Sequence, residues 1–323
     1  MIATLVGHSF PGSGHGGILT SEPPETAPSP EPTRSRSSRA RSILLPGLRL
    51  LLLILLGFLA VLFLLQDRII FPGTATQGTP QSVVHPPPGT ELLTLNTSRG
   101  ERVVALYGAA LLPDGRPHPD PASRPALVYF YGNAMCLAYC GPEFERFRRL
   151  GLNVIIADFL GYGQSGGKAS EVGCRETAET AYQTLRKRGF PANRIIAGGW
   201  SLGGAVAIDL ASRDKVAGLI AFSSFTDTHD MALRILPVPL PRFMFVHKFD
   251  NLHKISRITC PILLGHGRQD NLVPFSMFEQ LARAAKAPLT KVIVDEAEHN
   301  DFYDVGDKQI NKAIGHFLEA LPQ

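Results

Sequence analysis

The sequence has few charged residues and no extended basic cluster beyond its amino-terminal third. Charged residues make up 19% of the 323 positions, and the net charge at pH 7 is +4. In the later part of the chain the longest run of cations is residues 186–188. Nucleic-acid binding requires an electropositive surface, because most of its affinity comes from neutralised phosphates. The composition therefore argues against a nucleic-acid partner.

Cysteine is scarce as well, with four residues in the chain. Cys136 and Cys140 could form a disulfide in an oxidising compartment, although cysteines at this spacing are more often two separate thiols. Cys260 opens an apolar strand segment, where a thiol usually belongs to the core. The cysteine content thus leaves the redox compartment open.

A nucleotide-binding motif in its proper context is missing. Residues 161–166 match Gly-x-Gly-x-x-Gly in form. A polar stretch follows instead of a helix, and the basic segment 185–190 stands where an acidic residue would contact ribose. For Lys168 to belong to a Walker loop, glycine would have to replace Tyr162. We expect no nucleotide, no other cofactor and no metal ion.

The amino-terminal third has two parts of contrasting composition. Residues 1–42 are rich in Pro, Ser and Gly and show no helical or strand periodicity, which predicts a disordered tail. Residues 43–65 read ILLPGLRLLLLILLGFLAVLFLL, with Arg49 as the one charge. Such a helix is long enough to cross a hydrocarbon core of about 30 Å. We therefore predict a transmembrane anchor at residues 43–65.

Two alternatives to an uncleaved anchor fit the apolar run less well. A buried helix of a soluble domain rarely lacks a polar face over such a length. A signal peptide would have a shorter apolar core with a small-residue cleavage site nearby. Here the small residues 73–75 lie well past the run and follow Pro72.

The charges flanking the apolar run predict its orientation. Four arginines precede it in residues 34–41, whereas Asp67 and Arg68 after it cancel each other. Because cytoplasmic flanks are enriched in Lys and Arg, we expect a cytoplasmic amino terminus. Residues 66–323 would then lie on the periplasmic, lumenal or extracellular side.

Beyond the apolar run, strand-like and helix-like segments alternate. An opening antiparallel pair is expected at residues 91–97 and 101–113. Buried strand segments separated by helical ones follow at residues 126–132, 153–159, 194–200, 216–224, 260–267 and 290–296. This order predicts an α/β fold, with a mostly parallel sheet covered by helices on both faces. One domain at residues 66–323 is the simplest division, with a small apolar cap at about residues 225–255.

Two segments have the Gly-x-Ser-x-Gly spacing of a nucleophile elbow, one around Ser165 and one around Ser201. An elbow requires a strand that ends just before the serine and a helix that begins directly after it. Ser201 meets both conditions, since strand 194–200 precedes it and an apolar helical segment follows. Ser165 lies six residues past Phe159, the end of its strand, and no apolar helix follows. We predict Ser201 as the nucleophile and Ser165 as a loop residue.

A serine nucleophile needs a histidine base and an acid that orients the histidine. In elbow-containing α/β enzymes the chain order is Ser, acid, His. Asp270 and His299 each follow the carboxyl end of a predicted parallel strand, where ligands bind in such sheets. Ser201, Asp270 and His299 are therefore the predicted catalytic residues. His266 and Asp295, at the edges of the same strands, remain the alternatives.

The tetrahedral intermediate of acyl transfer requires backbone N–H donors for its oxyanion. One is expected from Leu202 at the start of the helix. The loop after strand 126–132 should supply the other, with Ala134 preferred and Asn133 second.

On these residues, the chain resembles the α/β-hydrolase superfamily over residues 66–323. It is most similar to the membrane-anchored branch that contains lysophospholipases, protein depalmitoylases and serine-aminopeptidase-like sequences. The stretches that support the resemblance are QDRIIFPG, YGNA, ADFLGYGQSGG, GWSLGG, FDNLHKI before CPILLGHGRQD, and AEHNDF. Tyr131 and Leu160 stand where relatives usually have His and Arg. Neither is a predicted triad residue, so the departures concern pocket shape and substrate preference.

A serine at the elbow indicates hydrolysis of esters, thioesters or amides through an acyl-enzyme. An apolar cap beside an anchor favours acyl or lipid-like substrates, although the cap could equally just close the core. A peptidase would need a polar or acidic site for the peptide amine, and none is evident. An inactive anchored interaction protein would not need the full Ser, Asp and His set. We expect a membrane-anchored serine hydrolase; its oligomeric state and acyl group are left open.

Overall fold

The computed structural model of the chain describes residues 36–236 and 240–321. Contacts divide the chain into two compact units, one up to Leu56 and the other from Gly57 onward. The division falls inside the first helix, α1 (Arg36–Ile70). All features described below, apart from the bounds and composition of α1, belong to the unit that begins at Gly57.

Helix α1 is longer than the apolar run at both ends. The composition predicts a disordered tail for residues 36–42 and a folded domain from residue 66, yet both flanks are helical. Extending an existing helix costs little, because each added residue gains a hydrogen bond, so polar flanks can continue it. The first 35 residues of the predicted tail lie outside the described residues. Within the described chain, Leu45–Ile70 contains an 18-residue window with a mean hydropathy of 2.9 and is long and apolar enough to cross a membrane.

The described residues contain one eight-stranded sheet. Its strands are β1 (Thr90–Asn96), β2 (Arg102–Gly108), β3 (Ala126–Phe130), β4 (Asn153–Ala157), β5 (Ile195–Trp200), β6 (Gly218–Phe222), β7 (Ile262–Gly267) and β8 (Leu289–Val294). They lie in the order β1-β2-β4-β3-β5-β6-β7-β8. Strand β2 is antiparallel to β1 and β4, and the remaining pairs are parallel. The predicted antiparallel opening and the parallel sheet after it are confirmed.

Helices cover both faces of this sheet. They are α2 (Gly141–Arg149), α3 (Glu171–Lys187), α4 (Leu202–Arg213), α5 (Thr228–Ile235), α6 (Asn251–Ile255), α7 (Phe275–Ala284), α8 (Phe302–Val305) and α9 (Asp307–Glu319). Successive strand residues point to opposite faces. Tyr129 of β3 packs on Phe147 of α2 and hydrogen-bonds Tyr303 of α8, whereas a Cβ on Gly199 of β5 would meet Gly203 of α4. Every residue of β3 and β4 is buried, as expected for strands covered on both faces.

Two details differ from the sequence pattern. The pattern predicts one final helix over residues 305–321, but two helices, α8 and α9, meet at Gly306. Glycine weakens a helix, which favours a break at this point. The predicted cap at residues 225–255 contains α5 and α6 joined by largely irregular chain, in which residues 237–239 lie outside the described residues.

Candidate active site

Ser201 occupies the sharp turn between β5 and α4. Its φ of 57° and ψ of −119° are rare for a residue with a side chain and indicate a strained turn. A Cβ on Gly199 would lie 2.2 Å from the carbonyl oxygen of Gly203, and one on Gly203 would lie 1.9 Å from that of Phe130. The two glycines of the motif are therefore steric requirements of the turn.

The structure brings together the three residues predicted for catalysis. His299 Nε2 lies 3.0 Å from Ser201 Oγ, and His299 Nδ1 lies 2.7 Å from Asp270 Oδ2. All three residues are buried. Because a carboxylate can only accept, Nδ1 carries the ring proton and Nε2 is free to accept the serine proton. The arrangement can activate a hydroxyl for attack on an acyl carbon.

Asp270 is held in its charged form. Burial opposes ionisation, but hydrogen bonds from His266, His299 and the Val273 amide lower the pKa of Asp270 to about 2. The Val273 N–H lies 2.7 Å from Oδ1, and Leu272 N–H donates to the same oxygen at 3.0 Å. The carboxylate is thus fixed in the orientation that His299 requires.

The two alternatives in the sequence occupy other places. His266 is fully buried, and its Nε2 donates to the Val273 carbonyl at 2.9 Å while lying 3.3 Å from Asp270 Oδ2. It therefore lies beside the same oxygen of Asp270 that His299 contacts. Asp295 is exposed and forms an ion pair with Arg268. Neither is hydrogen-bonded to Ser201 in the described structure.

The loop after β3 meets Ser201 through Asn133. Asn133, Ser201 and Leu202 line one cavity, whereas Ala134 is exposed and is absent from that lining among the described residues. The Asn133 carbonyl accepts hydrogen bonds from Gly73 N–H at 2.9 Å and from the Tyr162 hydroxyl at 3.0 Å. The loop after β3 thus brings Asn133 to the cavity beside Ser201, while Ala134 and Asn133 both stay predicted oxyanion donors.

Comparisons with known proteins agree with the fold. The family model described as the alpha/beta hydrolase fold matches residues 125–244. An uncharacterised protein of Mycobacterium tuberculosis is 30% identical over 278 residues, which cover 85% of this chain and 94% of that protein. The chain belongs to the α/β-hydrolase superfamily.

Two further similarities extend this result. Human alpha/beta hydrolase domain-containing protein 17B is 28% identical to this hydrolase over 235 residues, covering 72% of this chain and 74% of that protein. The solved structure of the Pyrococcus furiosus esterase Pf2001 has a TM-score of 0.58 at 21% identity, covering 74% of this chain and 95% of the esterase. At that identity the structural likeness shows the fold alone.

Ser165 has a structural role in the hydrolase. It is buried in a loop, where its Oγ donates to the Asp158 carbonyl at 2.8 Å and accepts from Val104 N–H at 2.9 Å. The bond from Val104 ties the loop after β4 to β2, and the bond to Asp158 joins the loop to the end of β4. The prediction that Ser165 is a loop residue is confirmed.

The departures from the family pattern lie beneath the site. Tyr131 is buried and donates to Asp158 Oδ1 at 2.9 Å, and its oxygen accepts from Phe159 N–H at 3.1 Å. Burial raises the pKa of both Tyr131 and Asp158. Leu160 is buried as well. Neither Tyr131 nor Leu160 is among the described residues that line the cavity at Ser201.

Trp200 contacts the base, which the sequence pattern did not reveal. Its ring centroid lies 4.9 Å from that of His299, with 35° between the ring planes. A Cβ on Gly132 would come within 2.4 Å of the indole, so glycine at this position leaves room for the ring. Nothing in the strand pattern distinguishes this tryptophan from a core residue.

An apolar cavity of about 240 Å³ opens beside Ser201. The cap contributes the apolar side chains of Phe225, Met231, Ala232, Ile235, Leu236, Leu240 and Phe245 to its lining. The opposite contribution comes from α1, with Leu62, Gln66, Ile69 and Ile70. The cap side chains therefore line a cavity beside Ser201, and the contribution of α1 to it was not evident from the sequence.

A group of acidic and histidine side chains in the cap is arranged closely enough to share a cation. These residues are Asp227, His229 and Asp230. The Arg242 guanidinium already lies 2.7 Å from Asp227 and 3.3 Å from Asp230. The Arg242 side chain therefore already supplies a positive charge to these carboxylates.

The thiols of Cys136 and Cys140 do not form a disulfide in the described structure.

Proposed function

We propose that this α/β hydrolase is a membrane-anchored serine hydrolase that cleaves carboxylic ester or thioester bonds of acyl or lipid-like substrates. The observation that carries the proposal is the hydrogen-bonded series from Ser201 through His299 to Asp270, with Ser201 in the lining of an apolar cavity. Membership of the hydrolase superfamily and the fold shared with an esterase support it.

The chemistry follows from the proton positions. His299 Nε2 accepts the Ser201 proton as Oγ attacks the acyl carbon, and Asp270 stabilises the imidazolium that forms. The N–H groups of Leu202 and Asn133 would donate to the oxyanion. His299 then returns the proton to the leaving oxygen or sulfur, which leaves an acyl-enzyme. Water, deprotonated by His299, then attacks this ester, and His299 returns the proton to Ser201 Oγ as the bond to the acyl carbon breaks and the carboxylic acid leaves.

The cavity favours an acyl chain over a peptide amine. Its lining contains no Asp or Glu among the described residues, so an ammonium group would find no counter-charge there. The Thr228 hydroxyl, one of few polar groups in the lining, already donates to the His247 carbonyl. An apolar chain would bury its surface in this cavity with few polar groups to desolvate.

Anchoring and orientation are part of the same proposal. Helix α1 would span the membrane with its apolar residues 43–65, and the arginines before it favour a cytoplasmic amino terminus. The catalytic unit would then face the periplasmic, lumenal or extracellular side. Protease added to intact cells should cleave that unit, and its protection would contradict the orientation.

Labelling with a fluorophosphonate tests the catalytic assignment. The wild-type protein should label, and Ser201→Ala should not. Ser165→Ala is the matched control, because it removes the other serine of the same motif and should still label. Labelling of Ser201→Ala, or none in the wild type, would refute the proposed nucleophile. Turnover of p-nitrophenyl esters of increasing chain length would then define the acyl preference.

A further inference from the structure

We propose that the end of α1 selects the acyl chain, and that the chain enters the cavity from the bilayer along Leu62, Gln66 and Ile69. This inference rests on the proposed function and adds a specificity surface to it. The helix is then more than a tether, since its last turns complete the binding site.

The spacing of the cavity residues places them on one side of the helix. Leu62, Gln66, Ile69 and Ile70 recur at intervals of three and four residues, which is one helical face. Leu62, Gln66 and Ile70 are half-buried, whereas Leu64 keeps 76% of its surface exposed. One face of this helical segment thus lines the cavity, and another remains free to contact lipid.

The last turns of α1 are fastened to the cap. Gln66 Oε1 accepts from Val246 N–H at 3.0 Å, and Asp67 Oδ1 lies 3.0 Å from His247 Nε2. The other nitrogen of His247, Nδ1, accepts from Glu171 N–H at 3.2 Å. Nε2 therefore carries the ring proton and donates a hydrogen bond to Asp67. These bonds hold the last turns of α1 against the cap.

The same segment reaches the oxyanion loop. The Ile70 carbonyl accepts from Asn133 Nδ2 at 3.3 Å, and Gly73 N–H donates to the Asn133 carbonyl at 2.9 Å. The residues that end α1 and follow it therefore contact both the cavity and the loop beside Ser201. The end of α1 and the residues after it would therefore contact both a bound acyl chain and the loop beside the reacting carbonyl.

The cavity rim indicates where the chain comes from. Ile69, Ile235 and Leu272 line the cavity, yet they remain 59%, 63% and 44% exposed. On the cap, Phe243 is 85% exposed. Exposed apolar side chains grouped at a cavity mouth are typical of a surface that contacts membrane or another apolar partner. Their continuity with a helix apolar enough to span a bilayer favours lipid.

Selection of the acyl chain by α1 is tested with full-length protein in detergent, using acetyl, octanoyl and palmitoyl p-nitrophenyl esters. Leu62→Trp should lower the ratio of palmitoyl to acetyl ester hydrolysis by roughly tenfold or more, because it shortens the cavity. Leu64→Trp is the matched control and should keep the wild-type profile. Leu62→Ala, which enlarges the cavity without a bulky insertion, should shift the preference toward longer chains.

The proposal that α1 selects the acyl chain would be overturned if both Leu62 variants kept the wild-type chain-length profile. It would also be overturned if Leu62→Trp and Leu64→Trp lost palmitoyl ester hydrolysis equally. Loss of acetyl ester hydrolysis in both Leu62 variants would also overturn it, since the residue would then be structural. If the wild type failed to hydrolyse any ester, the proposed function would fail instead. The two failures are therefore distinguishable.

The route is tested in phosphatidylcholine vesicles. A fluorogenic palmitoyl ester placed in the vesicles that carry the protein should be hydrolysed roughly tenfold or more faster than the same ester in separate vesicles. Equal rates would show that the chain arrives through water and would overturn entry from the bilayer. An acetyl ester, which partitions freely, should show equal rates and serves as the control.

Discussion

The Trp200 ring lies against the His299 ring at a tilt of 35°, so the residue before Ser201 contacts the imidazole that is hydrogen-bonded to Ser201. In the proposed mechanism this imidazole would become positively charged during acylation. Such a contact stabilises a cation by about 0.5–2 kcal/mol, depending on how well the pair is shielded from water.

Replacing this indole should therefore slow the chemical step. We expect Trp200→Leu to lower kcat by about 2–30-fold with little change in KM, because the transition state loses the stacked ring. Trp200→Phe keeps an aromatic face and should retain more of the rate. Steady-state kinetics on a soluble ester checks this, and equal kcat values for Trp200→Leu and wild type would show that the stacking is incidental.

The charge of Asp270 should be essential for turnover. Asp270→Asn leaves the side-chain shape but favours the wrong tautomer of His299, and kcat should fall by about 10³–10⁴-fold. Single-turnover measurements with a p-nitrophenyl ester would detect the loss. A variant of the exposed alternative acid, Asp295→Asn, should retain the wild-type rate.

Asp270 should also make stability depend on pH. Its pKa of about 2 in the folded chain lies below the ordinary value of about 3.9, so its stabilising contribution is fully present above the latter. The contribution is lost as the pH falls through the folded value. Denaturant titrations should show wild type more stable than Asp270→Asn near neutral pH, with the gap narrowing in acid. A gap that widened in acid would contradict this account.

Ser165→Ala should separate folding from catalysis. The substitution leaves the Val104 N–H without its buried acceptor, which costs about 1–3 kcal/mol of unfolding free energy. Ser165 makes none of the hydrogen bonds that join Ser201, His299 and Asp270, so the folded variant should still label with fluorophosphonate. Chemical denaturation measures the first effect, and wild-type stability in this variant would contradict the role of the two hydrogen bonds.

Gly73→Ala should disturb the oxyanion loop from outside it. A Cβ on Gly73 would lie 2.1 Å from the Tyr162 ring and 2.7 Å from the Asn133 carbonyl oxygen. Displacement of Asn133 should lower kcat, by up to the roughly 10²–10³-fold that one oxyanion donor contributes. Gly141→Ala is the control, because a Cβ there meets no heavy atom within 4 Å. Equal kinetics for the two variants would count against Asn133 as a donor.

Local sequence patterns predicted much of the fold. Continuous apolar segments between helical ones predicted the parallel strands, since such runs suit strands buried on both faces. Chain order and position at strand ends predicted that Ser201, Asp270 and His299 would meet, because parallel strands place their carboxyl ends at one edge. The bounds of α1 and the break at Gly306 escaped this reasoning, as helix ends depend on small energies and on neighbours.

Contacts between distant segments decided the rest. The position of Asn133 at the cavity depends on contacts with Gly73 and Tyr162, far away in the chain. The stacking of Trp200 on His299 likewise joins residues that no local pattern relates. Periodicity reports which face of an element is buried but not what buries it. The sequence therefore defined the reacting groups, and the tertiary structure decided what surrounds them, including the face of α1 at the cavity.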